Sequence, residues 1–454
     1  AQTPIQGPIM TQPVSTAHLI ANMQDARNRT LELIQDLDDQ QLMGPKIRTV
    51  NPLKWEIAHT AYFYEFFILR QLYGHDSVIG DRADELYDSI NIHHDVRWDL
   101  PLPDRQGTLA YMQAVFDRLS ERLVGSRNGG MASEQDSFIY QFGIFHEDMH
   151  TEAYLWARQT LAYPTPNLAV AADVSAERAA GGHPGWAMVP GGRITLGADR
   201  SAPFLFDNEK WAHEVVIAPF EIAMAPVTNG EFQAFVDSGG YETEAYWDQD
   251  GWAWCMEADA KHPVYWQPDG PSNWLLRRFE KVLPLPLNEA IIHVNWYEAN
   301  AYCRWAGLRL PTEAEWEAAA LGEAGSDGDL APLKRHYPWG EALPDPSRAN
   351  LDGRALGPID VAALPAGDSA FGCRQMLGNV WEWTADTFQA FPGFSADAYT
   401  EYSTMLFGST KVLRGGAWTT RGRMMRGTYR NFFEPHRLNV FSGFRTCKLV
   451  TSGS

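Results

Sequence analysis

Apolar residues recur at helical spacing through the first third of the chain and lose that regularity afterwards. Leu19, Met23, Leu31 and Ile34 share one face of a predicted helix from 16 to about 38, with Ser15 placed to cap it. Pro52 opens a second helix, along which Trp55, His59, Tyr62, Phe63, Phe66 and Phe67 recur. A third is predicted over about 108–123. A fourth, over about 133–161, carries Phe138, Phe142, Phe145, Met149 and Ala153. Four helices with one longer connection, 74–105, predict a bundle over 15–165. Tyr163-Pro164-Thr165-Pro166 stops the fourth helix, and the Ala- and Gly-rich stretch 166–184 reads as a linker.

From 185 to 450 short alternating runs fall between Gly, Pro and Asn turns. Residues 187–189, 193–196 and 213–217 are predicted strands. Helices interrupt them at about 229–238 and 296–306, and another begins at Thr312, where Glu315 completes a capping box. No periodic repeat runs through this half. The fold class is therefore multidomain, an α bundle followed by an irregular α+β domain. The polar, Pro-rich segment 1–14 reads as a disordered lead-in, part of it an expression scar around Gly7-Pro8.

Composition narrows the function classes. The 454 residues are 45% apolar and 21% charged, a folded composition long enough for two cores. Aromatics reach 12%, with 17 Trp, which suits a loop-heavy domain and aromatic-lined pockets. A net charge of −20 opposes nucleic acid or an anionic membrane as partner. No apolar run approaches the ~20 residues that span a bilayer, and no charged segment with an apolar stretch opens the chain. Cys255, Cys303, Cys373 and Cys447 are far apart with no CxxC pair. That spacing disfavours a zinc ribbon or disulfide scaffold and predicts reduced thiols in a cytoplasmic protein.

The candidate chemistry lies in the bundle. His146 and His150 are four apart on a helix, so both rings project from one face, about 6 Å apart along the axis. His59 lies on another helix among Trp55, Tyr62 and Phe63, where an unpaired imidazole is costly. Three convergent histidines make a facial metal site with positions left for substrate and dioxygen. The spacing alone leaves zinc and nickel open. Three neutral ligands keep the full charge of a divalent ion, which draws an anionic sulfur or selenium ligand and a substrate imidazole.

The run His146-Glu147-Asp148-Met149-His150-Thr151-Glu152 resembles the HxxxHxE motif of the DinB-like domain in the sulfoxide synthases EgtB and OvoA. The second half resembles the formylglycine-generating-enzyme (sulfatase-modifying factor) fold, a C-type-lectin-like domain. Its markers are Val189-Pro190-Gly191-Gly192, Arg309-Leu310-Pro311-Thr312-Glu313-Ala314-Glu315-Trp316-Glu317, Gly378-Asn379-Val380-Trp381-Glu382-Trp383, Val412-Leu413-Arg414-Gly415-Gly416-Ala417-Trp418 and Gly443-Phe444-Arg445. The resemblance implies ferrous iron held by His59, His146 and His150. It also implies dioxygen-dependent attachment of sulfur or selenium to hercynine, the trimethylated histidine betaine. Glu152 is expected to anchor the site from behind.

Two departures move the expected donor. Met149 stands where relatives carry Gln just before the second motif histidine, and 87–98 replaces an Asn-Ser-Tyr-Tyr segment. The His94-Asp95-Val96-Arg97-Trp98 run resembles the selenoneine synthase branch, so a selenosugar is expected as donor, with cysteine or γ-glutamylcysteine as the alternative. Met149, Arg97 and His94 are placed at the substrate. In the second domain the resemblance assigns hercynine and donor contacts to Arg430, Asn431, Phe432, Phe433, Arg437 and Trp418. Tyr399 and Tyr402 lie where a proton-donating tyrosine is expected, and Asn350 and Asn379 are assigned to a structural calcium ion.

Competing classes fit less well. A copper-dependent formylglycine-generating oxidase needs a second cysteine before Cys447, and none lies between Trp418 and Thr446. A zinc or nickel thiol transferase does not need the second domain, and a lectin-like binding module does not need the histidines.

Overall fold

The computed structural model describes residues 12–125 and 130–449; Gly7-Pro8 and most of the expected lead-in lie outside them. The chain divides into two compact units, residues 1–169 with 200–205, and 170–199 with 206–454.

The first unit is helical. In order come α1 (Thr16–Glu32), α2 (Asp39–Met43), α3 (Leu53–Tyr64), α4 (Arg82–Tyr87), α5 (Arg105–Gly125) and α6 (Glu134–Thr160). Ser15 caps α1 by accepting from His18 N, and Ser133 caps α6 through Asp136 N. The predicted first helix stops six residues early. Asp38 instead caps α2, exchanging hydrogen bonds with Gln41 at 2.7 and 3.0 Å. Val14, expected in the lead-in, docks on the bundle: its N–H donates to Ser137 Oγ at 3.0 Å and its carbonyl accepts from Ala132 N.

Helix α3 widens into a π-helical segment, Glu65–Leu72. The fully buried Glu65 carboxylate accepts from Tyr111 Oη at 2.5 Å, from Ser77 Oγ at 2.9 Å and from Val78 N. Such segments are rare and cluster near functional positions. Helices α3 and α6 pack at Gly143, where a Cβ would meet the Tyr64 ring at 2.5 Å. Only glycine lets the two helices approach this closely there.

The second unit contains β1 (Trp186–Val189), β2 (Gly192–Leu196), β3 (His213–Ile217), β4 (Phe220–Ala223), α7 (Asn229–Asp237), α8 (Gln249–Glu257), β5 (Trp266–Pro268), β6 (Trp274–Arg278), β7 (Lys281–Pro284), α9 (Trp296–Ala306), β8 (Leu308–Arg309), α10 (Glu313–Leu321), β9 (Trp381–Thr387), β10 (Lys411–Arg414), β11 (Arg430–Phe433), β12 (Ser442–Phe444) and β13 (Cys447–Lys448). They form sheets of order β1-β4-β13-β8, β11-β10-β9-β12, β5-β6-β7 and β2-β3. The capping box predicted at Thr312 and Glu315 starts α10. The stretch expected as a linker belongs in part to this unit. Ala172 N bonds Arg354 O, and Val174 packs with Ala355, Ile359 and Ala363.

Buried ion pairs hold the interior of this unit. Arg414 bridges Glu313 and Glu317, and Arg445 pairs with Glu382 at 3.0 Å. All four cysteines are buried and reduced. No helix among the described residues is long and apolar enough to cross a membrane.

Candidate metal centre

Helices α3 and α6 bring His59, His146 and His150 together, with one ligand nitrogen from each lying within 4.8 Å of the others. No other group of three or more His, Cys, Asp or Glu among the described residues converges in this way. The ring centroids are 5.4 Å apart for His59 and His146, 5.2 Å for His59 and His150, and 4.5 Å for His146 and His150.

Each ring is held from behind. His59 Nδ1 donates to the Tyr87 carbonyl at 2.8 Å, and Trp55 stacks on the imidazole at 4.9 Å and 8°. His150 Nδ1 donates to Glu56 Oε1 at 2.7 Å. Phe63 stacks on His146 at 3.8 Å. With Nδ1 engaged on His59 and His150, the Nε2 lone pair of each is left for the centre. Glu147, which follows His146 and lies about 100° around the helix, ties α6 to α1: it accepts from Arg27 Nε at 3.0 Å and Thr30 Oγ1 at 2.9 Å.

Burial keeps the His59 and His146 imidazoles neutral. It pushes His59 down to about 3, with His150 adding to the effect. Burial likewise holds His146 well below the ordinary histidine range, with His150 and His59 next in weight. Neutral imidazoles are the ligand-competent form. Three of them with no protein carboxylate suit a first-row transition metal, iron included.

The structure redistributes the other expected residues. In the first unit, Arg97 is anchored internally: its guanidinium donates to Asn51 Oδ1 at 2.7 Å and lies 3.9 Å over the Trp55 ring. His94 Nε2 donates to the Val50 carbonyl at 2.8 Å. Met149 is half-buried beside His150, and Glu152 is buried.

In the second unit the alternation along β11 divides the expected substrate residues between two faces. Arg430 and Phe432 point inward, Asn431 and Phe433 outward. Arg430 is 1% exposed and donates to Glu313, Asn208 O and Gln389 O, so in this structure it holds the core. Phe432 stacks on Phe388 at 4.2 Å, and Trp418 packs on Phe441 at 5.0 Å; both are core residues. Arg437 lies 5.4 Å over the Phe433 ring. Tyr402 sits against Phe206 at 5.1 Å, with Tyr399 6.3 Å away, and burial raises the Tyr402 phenol well above its ordinary value. The Asn379 side chain is engaged within the protein: its Oδ1 accepts from Asn350 Nδ2 and Ile359 N, and its Nδ2 donates to Gln375.

Glu56 is the residue that sequence reasoning passed over. Its signal was a lone carboxylate in the apolar run Trp55-Glu56-Ile57-Ala58-His59, three positions before a ligand. The Tyr87 carbonyl carries no side-chain signal at all.

Comparison with known proteins agrees with this two-part architecture. Residues 22–153 match the DinB superfamily, and residues 171–450 match the sulfatase-modifying factor enzyme 1-like domain. A protein named hercynine oxygenase from Mycolicibacterium smegmatis is 37% identical over 92% of this chain and 96% of its own length. This chain belongs to the hercynine oxygenase family. A second member, from Mycobacterium tuberculosis, is 36% identical over 96% of this chain and 99% of its own. A formylglycine-generating enzyme from Thermomonospora curvata matches less, 34% identical over 45% of this chain and 70% of its own. The chain is accordingly an oxidoreductase, and both hercynine oxygenases match it across the two units, whereas the formylglycine-generating enzyme matches less than half of it.

Proposed function

We propose that this chain is an iron(II)- and dioxygen-dependent hercynine sulfoxide synthase that joins a small thiol, cysteine or γ-glutamylcysteine, to C2 of the hercynine imidazole. The three-histidine centre within a chain that matches hercynine oxygenases along nearly its whole length carries the reading. The names of these relatives speak to hercynine and none speaks to selenium, so the thiol stands ahead of the selenosugar expected from Met149 and the 94–98 run.

The stoichiometry closes without a further reductant. The imidazole C–H and the thiol S–H are lost, the C–S bond forms, one oxygen atom goes to sulfur and the other leaves as water. Iron, when bound by His59, His146 and His150, supplies the open coordination positions and one-electron chemistry that dioxygen activation needs. The protein's part is to keep His59 and His146 neutral and to aim the rings through the bonds at His59 and His150 Nδ1. Tyr402 or Tyr399 is the proton donor of this reading, and burial holds the Tyr402 phenol in its protonated form. Asn431 and Phe433, which face outward from β11, are the second-unit groups offered to substrate.

The test is anaerobic loading with ferrous iron followed by air, hercynine and, in parallel, cysteine, γ-glutamylcysteine or a selenosugar. A sulfoxide product with one thiol is expected, and its loss in His146→Ala together with stoichiometric iron. Unchanged hercynine with every donor at full iron occupancy refutes the proposal. Turnover with the selenosugar alone refutes the thiol assignment.

A further inference from the structure

Glu56 lies outside the metal-binding triad, yet its carboxylate is hydrogen-bonded to one of the three rings. Its carboxylate is 2% exposed, sits three residues before His59 on α3, and accepts the His150 Nδ1–H at 2.7 Å across to α6. The three ligand rings are thus supported unequally. His59 leans on a neutral backbone carbonyl, while His150 leans on a carboxylate.

We infer that Glu56 is a positioning residue that makes His150 a stronger donor than His59 and locks together the two helices that supply the ligands. The inference rests on the reading of His59, His146 and His150 as a metal centre. Two physical effects follow from the same bond. A carboxylate accepting the Nδ1 proton fixes the tautomer, so that Nε2 always presents its lone pair, and it raises the electron density of the ring. Glu56 also spans the gap between α3 and α6, so the ligand set is held in register before any ion arrives. A backbone carbonyl, as behind His59, supplies orientation without the charge.

Substitution separates the two effects. Glu56→Gln is nearly isosteric and can still accept from Nδ1, so it removes the charge and keeps the orientation. Glu56→Asp keeps the charge and shortens the reach. Cobalt(II) is a suitable probe, because its visible absorption reports ligand strength and geometry and needs no turnover. Anaerobic titration of the full chain with cobalt(II) is expected to show tight binding in wild type, binding weakened about 10–100-fold in Glu56→Gln, and a partial recovery in Glu56→Asp. The bands are expected to shift in Glu56→Gln while the thermal midpoint of the metal-free protein stays close to wild type.

Wild-type affinity and wild-type bands in a folded Glu56→Gln overturn the inference. If that variant does not fold, wild-type affinity and bands in Glu56→Asp do the same. A wild-type chain that takes up no cobalt, or takes it up equally well after His146→Ala, overturns the metal-centre reading instead. The two failures are therefore distinguishable.

Discussion

Replacing Gly143 by alanine probes the spacing on which the metal centre depends. The new Cβ would lie 2.5 Å from Tyr64 Cε1 and 2.6 Å from Cδ1, whereas carbon atoms rest at about 3.5–4.0 Å. The ring or a helix must therefore move by about 1 Å. Tyr64 is 2% exposed, so no vacant surface receives it. Overpacking of this kind costs about 1–3 kcal/mol. Against it stands the helix-forming advantage of Ala over Gly, about 0.8–1.0 kcal/mol. The net expectation is a loss of about 1 kcal/mol, reaching about 2. At about 2–4 °C per kcal/mol for a unit of this size, the melting transition of the helical unit falls by about 2–8 °C.

The functional consequence is sharper than the stability loss. Gly143 is one turn before His146, and Tyr64 follows His59 on the facing helix, so spreading the pair displaces ligands from both sides. Scanning calorimetry of the metal-free protein and anaerobic titration with ferrous iron should show a lower midpoint and several-fold weaker binding. In a Tyr64→Leu background, which vacates the contact, Gly143→Ala should cost less than it does alone. A higher midpoint in the single variant, of the size the helix preference provides, with unchanged metal affinity refutes the close-approach argument.

Other expectations follow from buried charge. His59 is held near 3 in the fold but titrates near 6.5 once unfolded. As pH falls below about 6.5 the unfolded state takes up a proton the fold refuses, so metal-free protein loses up to about 1.4 kcal/mol per pH unit from this group. Urea midpoints measured from pH 7 to 4 should fall less steeply in His59→Leu. Asp207 has the opposite sign, since burial pushes it up to about 7. Its contribution is present at low pH and lost as pH rises through about 7, so Asp207→Asn should stabilise the protein at pH 8 and lose that advantage toward pH 4, read by thermal midpoint. Arg430→Met removes one of the two guanidiniums on the buried Glu313, leaving Arg414, and should cost about 1–3 kcal/mol. Asn431→Ala, one position along and outward-facing, should stay within about 0.5 kcal/mol in the same melts. A folded, stable Arg430→Met with only a raised KM for hercynine would return Arg430 to the substrate.

Much of this architecture is written in local pattern. Helical periodicity, the caps at Ser15 and Thr312 and the four-residue spacing of His146 and His150 are properties of neighbouring residues, and they survive into the fold nearly unchanged. His59 was recognisable because a lone imidazole in an aromatic run is costly unless it has a role. What the chain does not display locally is which distant groups meet. Glu56 meets His150 across 94 positions, the Tyr87 carbonyl meets His59 across 28, and Gly143 lets the two ligand helices close.

The second unit shows the limit most clearly. Arg430-Asn431-Phe432-Phe433 reads as a uniform motif, yet the strand pleat sends alternate members to opposite faces. Only the presence of Glu313 and Phe388 behind the sheet decides that Arg430 and Phe432 are the interior pair. Short-range sterics and periodicity are fixed by the order of residues. The pairing of buried polar groups is decided by desolvation, which acts only once the chain has closed around them.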